Sequence, residues 1–192
     1  MSVQTHGGQD INASIPLVED FSVTTNFLGP NQNGMNAIKA NCESITHYPN
    51  QQFEPYIGRM KQFLFRNHTQ SPVLLGNGAS ELIDLLIRTL PHTTWSPGPS
   101  DVQYLEYERS CTVTGRTKIT KQQSSDNIRC IVNPTNPTGE YMSLKTLKAY
   151  IESHTSDGSS VIVDESMQPW LGAEWREDSL VSQAAWVHAL LA

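Results

Sequence analysis

The sequence has 192 residues, 38% of them hydrophobic and 17% charged, with a formal net charge of −6. That is the composition of an ordinary globular chain of one domain or slightly more, and it excludes a charge-driven disordered chain. The acidic balance argues against non-specific binding to nucleic acid or an anionic membrane, and no apolar stretch reaches the ~20 residues of a spanning helix.

Residues 1–30 read as an N-terminal arm, polar and without periodicity until Phe21. They carry no apolar core of a secretory signal, so a cytoplasmic protein is expected. Three widely spaced cysteines, Cys42, Cys111 and Cys130, agree with a reducing compartment and form no CxxC pair. In that setting the sequons at Asn12 and Asn67 are chance matches.

Residues 31–192 read as the folded domain. Met35, Ile38, Cys42 and Ile45 recur at helical spacing over Met35–His47, and Tyr48-Pro49 stops the pattern. A second amphipathic helix is predicted over Phe53–Arg66, with Pro55 in its first turn. The apolar run Val73-Leu74-Leu75 leads into Gly76-Asn77-Gly78, and a third helix runs from Ala79 to Leu90, where Pro91 ends it. Trp95–Ser100, with two prolines and a glycine, reads as a turn or loop, and Val102–Leu105 as a short strand. Ile128–Val132 is a strand closed by Asn133-Pro134. Ser143 caps a helix carrying Leu144, Leu147, Tyr150 and Ile151 on one stripe. Val161–Val163 is a buried-type strand ending in Asp164, and Trp186–Leu191 is a last apolar run. Helices alternating with β-branched runs predict an α/β fold with a mostly parallel sheet flanked by helices.

In such sheets ligands collect beyond the carboxyl ends of the strands. The loops after Leu75, Val132 and Val163 are therefore the candidate site. Gly76-Asn77-Gly78-Ala79-Ser80-Glu81 lets the backbone approach an anion at a helix N-terminus. It lacks both the Walker lysine and the dinucleotide GxGxxG spacing, and an ordinary strand-to-helix turn remains an alternative. Asn133-Pro134-Thr135-Asn136-Pro137-Thr138-Gly139 is a rigid loop that can hold the Asn136 amide in one place, or a structural double turn. Asp164, at a strand end, needs a partner: a protonated ring nitrogen, a nearby arginine, or a helix it caps.

Taken together, these motifs resemble the class I/II (fold type I) aminotransferases that use pyridoxal phosphate, and most of all the branch of histidinol-phosphate aminotransferases and threonine-phosphate decarboxylases. Asn133–Gly139 is similar to the family's NPxNPTG, Gly76–Glu81 to its phosphate loop, Tyr104–Arg109 to its ring-stacking segment, Val161–Glu165 to its strand-Asp-Glu element, and Tyr48-Pro49 to its YP element. The resemblance covers Asp20 onward. It implies pyridoxal 5'-phosphate as cofactor, with the phosphate on Gly78, Ala79 and Ser80. It further implies Tyr104 stacked on the ring, Asn136 on the ring's 3′ oxygen and Asp164 on the pyridinium nitrogen. Tyr48 would reach the phosphate of the other subunit of a homodimer. A small amino acid or amino acid phosphate would be the substrate.

Two departures accompany the resemblance. A position near Met167 is often an aromatic in the family, one that supports the 3′ oxygen, and Met donates no hydrogen bond. The family's Schiff-base lysine follows the strand-end Asp by roughly 30 residues, at or beyond Ala192, whereas Lys39, Lys61, Lys118, Lys121, Lys145 and Lys148 all precede Asp164. The chain is thus expected to be the N-terminal part of the large domain, inactive and poorly soluble alone, since the Trp186–Leu191 run would lack cover. The alternative is a lysine-less paralogue that binds or heterodimerises without catalysis.

Overall fold

The computed structural model describes residues 20, 22–26, 28–66, 70–119, 125–183 and 186. They fall into two units, Met1–Asn50 and Gln51–Ala192. Most of the expected arm, and the Trp186–Leu191 run apart from Trp186, lie outside the described residues.

In the first unit, α1 spans Gln32–Ala40. It starts earlier than the hydrophobic spacing predicts because the Asn31 side chain accepts from the N–H groups of Asn33 (2.9 Å) and Gly34 (3.2 Å). It ends early as well. Asn41 Nδ2 donates to the Ala37 carbonyl at 2.8 Å, and the chain tightens into a 3₁₀ turn over Cys42–Thr46.

The second unit contains α2 (Tyr56–Phe65), α3 (Ala79–Thr89), β1 (Thr94–Pro97), α4 (Leu105–Val113), β2 (Thr117–Lys118), β3 (Ile128–Val132), α5 (Leu144–Thr155) and β4 (Ser160–Asp164). The four strands form one parallel sheet in the order β2-β1-β3-β4. Three local expectations are corrected. Trp95–Pro97 is not a loop but part of the central strand β1, whose Trp95 pairs with both Lys118 and Ile128. Val73–Leu75 forms no strand among the described residues, and Leu74 is 69% exposed. Val102–Leu105 is the approach to α4 rather than a strand.

β3 is buried along its whole length, as its apolar run predicts, whereas β4 is half-buried because it pairs with β3 alone among the described residues. One side of the core joins Ile83 and Ile87 of α3, Tyr107 and Cys111 of α4, and Trp95, Ile128, Cys130 and Val132 of the sheet. The other packs Leu147 and Ile151 of α5 on Ile131. Helices therefore cover both faces of the sheet. The three cysteines are free thiols. A hydrogen bond from Cys111, together with burial, pushes the Cys130 thiol well up, so it stays protonated.

Each of α3, α4 and α5 feeds the strand that follows it through a short connection, so each runs antiparallel to the sheet. Arg116, just before β2, donates to the Leu90 carbonyl at 2.8 Å, which fixes the end of α3 at the amino end of the strands. The N-termini of all three helices consequently gather at the carboxyl end. No helix among the described residues is long and apolar enough to cross a membrane.

Candidate cofactor site

From β1 the chain moves outward to β2, then returns to place β3 on the other side of β1. The strand order reverses between β1 and β3, and such a switch point opens a crevice at the carboxyl ends.

Asp164 ends β4 at that level. Its Oδ2 accepts from the Tyr107 hydroxyl at 3.0 Å and its Oδ1 from the Ser166 N–H at 2.8 Å. Tyr107 is only 2% exposed. Burial first, and then the Asp164 charge, push its phenol far up, so it remains a donor. The neighbouring Glu165 turns the other way. It accepts from Ser179 Oγ (2.6 Å) and the Leu180 N–H (2.9 Å), and burial raises its carboxyl above the usual range.

The loop after β3 is closed by its own hydrogen bonds. Thr135 Oγ1 donates to the Val132 carbonyl (2.9 Å), the Thr135 N–H to the Glu140 carbonyl (2.8 Å), and the Gly139 N–H to the Thr135 carbonyl (2.7 Å). Gly139 takes φ 75°, which favours glycine. Buried Asn133 exchanges two hydrogen bonds with the Met142 backbone, and its N–H donates to the Asp164 carbonyl at 2.8 Å. The loop and the end of β4 are thereby tied together. Asn136 sits at the turn, half-buried, and among the described residues its amide has no hydrogen-bond partner. A cleft of about 350 Å³ beside this loop is lined by Pro99, Ser100, Asn133, Thr135, Tyr141 and Met142. The Tyr141 hydroxyl donates to Asp178. Burial and that carboxylate push its phenol up to about 12.

The glycine loop reaches the same end of the sheet through α3 rather than through a strand. Gly78, at φ 81°, precedes Ala79, and no side chain caps the helix. The first-turn N–H groups, those of Ala79 and Ser80 among them, are left open to a ligand. Gly76 cannot carry a side chain unchanged, since a Cβ would meet Leu82 Cδ2 at 2.8 Å. One donor is taken, because the Asn77 N–H donates to Glu81 Oε2.

Tyr104 occupies the N-cap position of α4, half-buried against the core cluster that holds Ile83, Tyr107 and Val132. Tyr104, Tyr107, Asp164 and the first turns of α3 thus belong to one end of one packed unit. Tyr48 lies in the other unit and is fully exposed. Met167 is half-buried and brings no hydroxyl; a phenol instead reaches Asp164 from Tyr107. Tyr107 is the residue to which the sequence assigned no role. Its signal is position, three residues after Tyr104 on the same helical face.

This donor set suits a phosphorylated aromatic cofactor: open N–H groups for a phosphate, a free amide, a strand-end carboxylate and a flanking aromatic. No protein-family model matches the chain. The chain is 25% identical over 181 residues to histidinol-phosphate aminotransferase of Staphylococcus aureus, an alignment covering 86% of this chain and 51% of that enzyme. The histidinol-phosphate aminotransferase structure from Clostridium acetobutylicum superposes with a TM-score of 0.58 at 21% identity, over 72% of this chain and 44% of that one. The fold is that of the type I pyridoxal-phosphate aminotransferases. The pyridoxal-phosphate-bound C-S lyase from Staphylococcus hominis shares it, with a TM-score of 0.54 at 14% identity over 71% of this chain and 41% of the lyase. The chain spans about half the length of the curated relatives it matches. Within this aminotransferase fold, the four described strands are the part that carries the strand-end carboxylate and the NPxNPTG-like loop.

Proposed function

We propose that this chain binds pyridoxal phosphate at the carboxyl end of its sheet, as part of an aminotransferase-like enzyme acting on a small amino acid or amino acid phosphate. The observation that carries the reading is Asp164, a carboxylate held at a strand end by Tyr107 and Ser166 beside the switch point. The N–H groups of Ala79 and Ser80, with Gly78 before them, would take the phosphate. Asn136 would bond the ring's 3′ oxygen, Tyr104 would cover one ring face, and Asp164 would hold a proton on the ring nitrogen. Tyr48 would act across a homodimer. When bound, the cofactor supplies an electron sink for bonds at a substrate's α-carbon.

The six lysines Lys39, Lys61, Lys118, Lys121, Lys145 and Lys148 all precede Asp164, and the reading assigns none of them to the cofactor, so reversible binding by these residues is expected. The lysine-less binding partner, the other reading of the sequence, draws no support from the relatives, whose names are those of enzymes. Titration with pyridoxal phosphate tests the proposal. Asp164→Asn should weaken binding about tenfold, because a charge-assisted hydrogen bond becomes a neutral one, while the exposed Glu177→Gln changes nothing. Equal affinity of Asp164→Asn and the parent refutes the role of Asp164. A borohydride-reduced adduct on a single lysine, mapped by mass spectrometry, refutes the reversible mode.

A further inference from the structure

We draw no further inference here: the strongest candidate, the cleft between α4 and β2 lined by Trp95, Gln103, Tyr104, Glu108 and Lys118, where the buried Gln103 amide has no hydrogen-bond partner among the described residues, stands beside the chain that continues from β2 into residues 120–124, which are not among the described residues, so nothing in the structure shows what covers it.

Discussion

The Tyr107 hydroxyl and the Asp164 carboxylate meet at 3.0 Å across 57 residues of sequence, joining the first turn of α4 to the last residue of β4. The contact orients the carboxylate before any ligand arrives. Tyr107→Phe keeps the ring in the core and removes only the hydroxyl. With Asp164 half-buried and open to replacement water, the expected loss is about 1–2 kcal/mol in a urea melt. A melt identical to the parent's would show that the hydroxyl does not hold Asp164.

Asn133 is 1% exposed, and its amide satisfies both the N–H and the C=O of Met142. Asn133→Ala removes the partner of both part-buried groups. A loss of roughly 2–4 kcal/mol is expected by thermal or urea unfolding; Asn133→Asp restores the acceptor alone and should recover part of it.

Glu81 places a negative charge beside the loop assigned to the phosphate. Glu81→Gln keeps the side-chain length and an acceptor while removing that charge. Binding of inorganic phosphate and of pyridoxal phosphate should tighten by about threefold, more at low salt. Calorimetric titration at two ionic strengths measures this, and unchanged affinity at both would place the anion elsewhere.

Burial raises the Glu165 carboxyl above its unfolded value, against the pull of Ser179 and Leu180. A raised carboxyl binds its proton more tightly in the folded state. Its contribution is therefore fully present below the ordinary glutamate value and is lost as pH rises through the elevated one. Glu165→Gln keeps an acceptor for both donors and cannot ionise. The stability difference between variant and parent should grow in the variant's favour from about pH 4 toward neutrality. Urea midpoints across that range check it, and a flat difference would show Glu165 to be no more buried than an ordinary surface acid.

The carboxyl-end loops were legible because their chemistry is local. Asn133–Gly139 and Gly76–Glu81 carry their turn residues and donors in contiguous stretches, directly after or before regular elements. β1 was hidden because Trp95-Ser96-Pro97 has the composition of a turn, and only pairing with Lys118 and Ile128 makes it a strand. Val73–Leu75 misled in the opposite sense: it has strand composition but pairs with no described strand, and tertiary pairing overrides β propensity. The Tyr107–Asp164 contact joins residues 57 positions apart, and no spacing rule reports it.

The antiparallel run of α3, α4 and α5 gives the molecule an uneven electric field. Its formal charge of −6 repels anions at a distance, yet three helix N-termini turn their positive ends toward one rim of the sheet. An approaching phosphate ester is turned away over most of the surface and drawn in only within the last few ångströms. Added salt should therefore speed its encounter by screening the long-range repulsion, while the short-range attraction at the rim is screened less.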